Sequence, residues 1–151
     1  MIKIASVVHV LAAVIWLGGM FFTYVVLRPA LGTIDRELRL SIWIKTLKLF
    51  FTWVWICIVA LLATGFVMIS LMGGFTAIGW HIYIMMATGI LMMAIFKFIY
   101  SAPFRHLCRG VEEEKWEVAD FALGTIRQLV GVNLVLGLIT VLAATLLPGL
   151  V

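Results

Sequence analysis

Long apolar runs separated by short charged segments dominate this chain. Residues 4–27 contain no Lys, Arg, Asp or Glu, and the same holds for residues 49–80. A hydrocarbon core about 30 Å thick is crossed by about 20 apolar residues in a helix. The first run is therefore long enough for one membrane helix, whereas the second run is too long for one and too short for two.

Proline and glycine divide these runs into elements. Gly73, Gly74 and Gly79 indicate a tight uncharged turn inside the second run, and Pro29 and Pro103 end the helices that precede them. The last helix is expected to end at Pro148-Gly149. The pattern predicts membrane helices at residues 4–27, 49–72, 80–101 and 120–147, with charged inner-side loops at 28–48 and 102–119. The fold class is all-α, an integral membrane antiparallel four-helix bundle forming a single domain over residues 1–151.

The first charged loop carries a weak helical signal. Leu38, Ile42 and Leu49 recur at helical spacing within a polar stretch. We therefore expect a short helix there that lies on the membrane surface with these residues facing the lipid.

Composition supports a membrane protein. Hydrophobic residues make up 65% of the chain and the mean hydropathy is +1.22, whereas soluble domains have about 45–50% apolar residues. The net charge of +4 comes from loops that flank the helices, so nucleic acid is not an expected partner. Lys3 is expected on the opposite side from the other basic residues. The positive-inside rule then predicts a multi-pass protein of the bacterial inner membrane with both termini periplasmic.

Two histidines are the main candidates for chemistry. His9 and His81 lie near the outer ends of helices one and three, which run in the same direction and are diagonal in an up-down bundle. Counting from the helix starts puts the two rings at similar depth. Histidine is costly inside a membrane and usually marks a functional site. The pair is predicted to ligate the iron of a b-type haem from its two faces.

Four further residues are candidate haem contacts. Trp16 shares a helical face with His9, and Thr88 shares one with His81. Trp80 and Tyr83 are, with Lys3, the nearest outer groups for the haem propionates.

Two alternatives use the same residues differently. His9 and His81 with Met72 and Met85 would form a nitrogen and sulfur site suited to Cu(I), although methionines in apolar chains usually serve packing. In a cofactor-free scaffold subunit, each imidazole would instead bond a backbone carbonyl. His106 lies among arginines on the inner side and is expected to be solvated. Walker loops, nucleophile elbows and HExxH motifs are lacking, so hydrolase chemistry is not supported.

Several short motifs are spread over the chain: His9-x6-Trp16-Leu-Gly-Gly-Met20, Arg28-Pro29, Ala63-Thr-Gly65, Gly79-Trp-His81, Ala102-Pro-Phe-Arg105 and the run from Asn133 to Val141. Together they resemble those of the copper-resistance D (CopD) family of bacterial inner-membrane proteins. The chain is similar to the short stand-alone members over nearly all its length, and this resemblance implies copper uptake or tolerance. His81-Ile-Tyr83 departs from the His-x-His expected in many relatives.

The first helix also resembles that of the HemJ-type protoporphyrinogen oxidases, small four-helix proteins with haem b on a helix-one histidine. The Tyr-Leu-Pro-Arg motif that follows their first helix is missing here, as is their lysine after Trp80-His81. The resemblance therefore implies a shared haem-holding bundle rather than the same enzyme activity.

The leading hypothesis from sequence is haem b held by His9 and His81 for electron transfer, which would make the protein a b-type cytochrome oxidoreductase. Its expected partners are membrane lipid, a quinone or a periplasmic redox protein, and a second copy of the chain in a homodimer. Copper binding or transport is the alternative.

Overall fold

Helices account for the architecture of residues 1–146, which are the residues that the computed structural model describes. Four helical rods are long and apolar enough to cross a membrane, at Ile2–Ala30, Arg36–Leu71, Trp80–Glu112 and Trp116–Leu146. They confirm the predicted all-α fold of four membrane helices, and the protein is a multi-pass membrane protein. The predicted end of the last helix at Pro148-Gly149 lies outside the described residues.

The first rod changes its winding near its end. It consists of α1 (Ile2–Phe21), a π-helical turn at Phe22–Leu27 and a short α2 (Arg28–Ala30). The Thr23 hydroxyl donates to the carbonyl oxygens of Gly19 and Met20, each at 3.0 Å. Pro29 has no N–H to offer the carbonyl four residues earlier. A widened turn therefore precedes the proline, and the rod ends at Ala30, close to the predicted position.

The second rod, α3 (Arg36–Leu71), begins well before the predicted start at residue 49. The segment 28–48 is therefore mostly helix, continuous with the membrane span, and it is not a loop with a separate surface helix. Leu38 and Leu49 of the predicted lipid-facing stripe are 56% and 70% exposed, which is compatible with contact to lipid. A different stripe, Leu40, Trp43 and Leu47, packs into the core.

The third rod consists of α4 (Trp80–Ser101) and α5 (Pro103–Glu112), and α6 forms the fourth rod (Trp116–Leu146). The bounds of α4 agree with the prediction, whereas the predicted loop 102–119 is largely helical. Leu107 and Gly110 face α6 while the charged residues of α5 face outward. Gly110 lies so close to Ala119 that a Cβ there would be 2.9 Å from the Ala119 nitrogen.

A tight turn joins α3 to α4, as predicted. Gly73 and Gly74 have φ angles of +100° and +85°, a region that disfavours residues with a Cβ. The Gly74 N–H donates to the Ile69 carbonyl at 2.9 Å and so caps the end of α3. A 3-10 turn at Phe75–Ala77 completes the connection.

Aromatic side chains fill the centre of the bundle. The α1 helix packs on α3 and α6, and α4 packs on α6. The ring of Phe96 in α4 lies edge-on to three rings from the first two rods: its centroid is 6.3 Å from that of Trp16, 5.4 Å from that of Phe51 and 5.3 Å from that of Trp55. Edge-to-face contacts of this kind add about 0.5–1.5 kcal/mol beyond area burial.

The two glycines of the Trp-Leu-Gly-Gly-Met motif have different surroundings, which gives a first prediction. The Phe50 ring occupies the space that a Gly19 side chain would need, whereas a Cβ at Gly18 would meet no atom within 4 Å. Gly19→Ala should therefore destabilise the protein by about 1–3 kcal/mol. Thermal unfolding in detergent should show a lower midpoint for Gly19→Ala and little change for Gly18→Ala. Equal midpoints would contradict this packing.

Candidate metal centre

His9 contacts the second rod through a side-chain hydrogen bond. Its Nδ1 lies 2.8 Å from the Oγ1 of Thr64 in α3. The Thr64 hydroxyl donates its own proton to the Ala60 carbonyl at 2.6 Å, so its oxygen is left to accept. The imidazole therefore carries its proton on Nδ1 and donates it to Thr64.

This arrangement leaves the other nitrogen of His9 as an acceptor. No hydrogen bond reaches Nε2 from any of residues 1–146. The ring lies against Gly65, with Cε1 3.6 Å from the position a Cβ would take there. Metal-binding histidines characteristically donate one ring N–H to a neighbour and present the second nitrogen to the metal.

His81 lies at the start of α4, folded back over the backbone. Its Cε1 and Nδ1 are 2.6 and 2.8 Å from the position that a Cβ on Gly79 would take, so only glycine permits this ring position. Nδ1 is buried and has no hydrogen-bond partner within the described chain. Buried nitrogen atoms without partners are uncommon in proteins, and an ion or a water is one reason for them.

Two other predicted cofactor contacts have partners of their own. Trp16 is buried against Phe96. Thr88 accepts a hydrogen bond from Thr140 of α6 at 2.8 Å while donating to the carbonyl of Ile84. These two side chains therefore stabilise packing between the rods.

The outer candidates lie around the turn between α3 and α4. The Tyr83 hydroxyl donates to the Phe75 carbonyl at 2.6 Å, which ties α4 to the turn. Trp80 and Met72 are exposed, and Met85 is half-buried. Among the eight predicted site residues, the hydrogen bonds of residues 1–146 join only Thr88 and Met85, where the Thr88 hydroxyl donates to the Met85 carbonyl of the same helix at 3.1 Å.

The convergence of His9 and His81 on one centre stays a prediction. The rods that carry them touch through Trp16 and Phe96, and each packs on α6. Among residues 1–146 there is no group of three or more His, Cys, Asp or Glu that could hold a metal. A site at these histidines would therefore need thioether ligands or a low coordination number.

Two cavities in the described chain lie away from both histidines. One, of about 10 Å³, lies between the first, second and fourth rods and is lined by Tyr24, Trp43 and Arg127 among others. The other is an open groove of about 360 Å³ beside Gly19, Phe50 and Trp53. Neither is a slot for haem between His9 and His81, whereas a single metal ion needs no such slot.

Thr64 is the residue that the sequence analysis missed. It belongs to the Ala63-Thr-Gly65 motif, and it brings a hydroxyl to an uncharged span. This hydroxyl inside an apolar helix could have indicated a hydrogen bond to another helix. A threonine in a membrane helix, however, commonly bonds only the backbone of its own helix. Its role depends on the rotation of α3 relative to α1.

A double-mutant cycle should detect the His9 to Thr64 hydrogen bond. His9→Ala and Thr64→Val together should be less destabilising than the sum of the single changes, by about 0.6 kcal/mol, the average for such bonds in a membrane protein. Unfolding in detergent and denaturant measures the cycle. Thr52 provides the control, since its hydroxyl bonds only the Lys48 carbonyl of the same helix. Thr52→Val should show no coupling to His9→Ala, and equal coupling in both cycles would contradict the contact.

Comparison with known proteins gives one family match. The model of the family described as Copper resistance protein D (CopD) matches residues 44–147. The matched region contains Thr64 and His81 but not His9. No match was found among curated proteins or among solved structures. The similarity of the first helix to HemJ-type proteins stays a prediction.

Proposed function

Because the chain belongs to the copper resistance protein D (CopD) family, we propose that it binds copper ions within the membrane and contributes to copper tolerance. Copper is here the cargo that the protein handles. The observation that carries the proposal is the hydrogen bond from His9 Nδ1 to Thr64, which leaves Nε2 as an acceptor with no partner in residues 1–146.

The histidine chemistry suits copper. A neutral imidazole whose proton is fixed on one nitrogen presents a lone pair on the other, and imidazole is a good ligand for copper. For His81 the unpaired Nδ1 is buried. Burial of an unpaired nitrogen in an apolar bundle is unfavourable, and coordination to an ion would offset this cost.

Methionines complete the proposed ligand set. Met85 follows His81 by about one helical turn, and Met72 ends α3 beside the turn that leads to His81. Thioethers are soft ligands that select Cu(I) over harder ions. The exposure of Met72 suits a residue that first receives the ion at the outer end of the bundle.

Haem b between His9 and His81 is the second candidate, with electron transfer to a quinone or a periplasmic redox protein as its role. The contact between the first and third rods at Trp16 and Phe96 favours it, because axial ligands must come from rods that approach each other. An Nδ1-protonated His9 is also suited to axial ligation through Nε2. A homodimer would be compatible with either function.

Metal binding to the purified protein tests the copper proposal. Anaerobic titration with Cu(I) against a chromophoric chelator should give about one high-affinity ion per chain. His9→Ala or His81→Ala should abolish that site, and Thr64→Val should weaken it about 10- to 100-fold, because an outer partner of a ligating histidine is lost. Thr64→Ser keeps the acceptor and should bind as the wild type does. His106→Ala is the matched control, since His106 is exposed in α5 at the other end of the bundle.

Two results would overturn the copper proposal. A visible spectrum of low-spin b-type haem, lost in both His9→Ala and His81→Ala, would establish the haem alternative instead. A folded protein that retains neither copper nor haem, and tolerates both histidine changes, would indicate a scaffold subunit.

The orientation in the membrane is a further part of the proposal. Arginines and lysines concentrate at the end of the bundle where the first rod ends and α3 begins, and positive loops normally stay in the cytoplasm. We therefore propose that His9, His81 and both chain termini face the periplasm. Alkaline phosphatase fused at the N-terminus, with a signal for export, should be active, whereas a fusion at Glu113 should be inactive. The reverse pattern of activities would show that the protein has the opposite orientation in the membrane.

A further inference from the structure

Four arginines from three rods come together at one end of the bundle. Arg28 belongs to α2, and Arg36 and Arg39 lie in the first turn of α3. Arg127 lies in α6, about two turns after Asp120. We call this group the arginine cluster. The guanidinium carbon of Arg28 lies 5.6 Å from the centre of the Tyr24 ring.

A single carboxylate is paired with the cluster. Asp120 accepts from Arg36 Nε at 2.6 Å and lies 3.4 Å from Arg39 Nη2. The other acidic residues at these helix starts, Asp35, Glu37 and Glu117, make no ion pair with any of residues 1–146. Four positive charges and one negative charge leave an excess of three.

Two members of the arginine cluster, Arg28 and Arg127, form no ion pair within the described residues, and Arg127 is the less exposed of the two. It is half-buried and lines the small cavity together with Tyr24 and Trp43. The positive charges of Arg28 and Arg39 both act on it, and Asp120 is the negative charge that acts on it in return. Arg127 makes no hydrogen bond or ion pair within the described residues.

From this charge arrangement we infer that the arginine cluster binds the phosphate group of an anionic phospholipid. Mutually repelling guanidinium groups in a partly buried site are stabilised by a counter-anion, and the planar guanidinium matches the geometry of phosphate oxygens. Basic pockets between membrane helices commonly bind anionic lipid headgroups. The inference does not depend on copper binding.

The surroundings favour a lipid over free phosphate. The cavity of about 10 Å³ is too small to enclose a phosphate ion, so the oxyanion must approach from the outer edge of the cluster. Exposed apolar residues are close to the cluster along the chain: Val25 and Val26 shortly precede Arg28, and Leu38 directly precedes Arg39. These residues offer a surface for acyl chains beside the phosphate.

Lipid binding to the full chain tests the inference. Native mass spectrometry and thermal unfolding in a neutral detergent, with phosphatidylglycerol or phosphatidylcholine added, should show preferential retention of phosphatidylglycerol and a higher unfolding midpoint with it. Arg28→Gln combined with Arg127→Gln should reduce the apparent affinity for phosphatidylglycerol by about tenfold or more, given the attraction of each basic side chain for anionic lipid. Arg105→Gln combined with Arg109→Gln removes two exposed charges from α5 and should leave binding nearly unchanged.

The experiment distinguishes a lipid phosphate group from free inorganic phosphate as the bound anion. Equal stabilisation by inorganic phosphate at the same concentration would overturn the assignment to a lipid. If both double variants lost lipid binding equally, the binding would depend only on the total positive charge of the surface. That result would overturn the assignment of a lipid site to the arginine cluster. If the Arg127→Gln combination does not fold, Arg28→Gln alone serves, because Arg28 is exposed; unchanged lipid binding in that variant would likewise overturn the inference.

Discussion

A polar group inside hydrocarbon has no water to bond, so each one needs a partner within the protein. Threonines in this bundle meet the requirement first within their own helices, as Thr64 does with Ala60 and Thr23 with Gly19. In the uncharged part of the bundle formed by residues 1–146, three side-chain hydrogen bonds join different rods. The Asn133 amide donates to the Met92 carbonyl at 3.1 Å, Thr140 donates to Thr88, and His9 donates to Thr64. Apolar packing alone is compatible with several rotations of a helix about its own axis. Because hydrogen bonds are directional, these three bonds help to fix the rotation of each rod.

Two buried atoms do not follow this rule within residues 1–146, namely His81 Nδ1 and Asn133 Oδ1. An unpaired buried acceptor costs about 1–3 kcal/mol. For Asn133 the hydrogen bond through its nitrogen offsets part of that cost. His81 has no such bond, and its ring position requires the lack of a side chain at Gly79. The unpaired atom therefore lies in a local structure that holds it in place.

The sequence predicted the helix interiors well because charges are excluded from hydrocarbon, and it predicted the turn because of its glycines. The helix ends were harder to place. Residues 36–48 and 103–112 carry charges on one face and core residues on the other. Because the predicted membrane helices were ended where charged residues begin, these amphipathic helical segments were assigned to loops. In the first of these segments Leu38 and Leu49 were as apolar as Leu40 and Leu47, and only contact with other rods determines which stripe is buried. His9 was predictable from the rarity of histidine in a membrane, whereas its pairing with Thr64 depends on helix rotation that one sequence does not reveal.

The turn between α3 and α4 has a consequence for how the protein enters the bilayer. Residues 71–79 contain no acidic or basic side chain, and each such charge at the centre of a membrane would cost about 2.5–3.5 kcal/mol during insertion. The turn therefore adds no charge to the cost of insertion, and the apolar parts of α3 and α4 can enter the bilayer together with it as one unit.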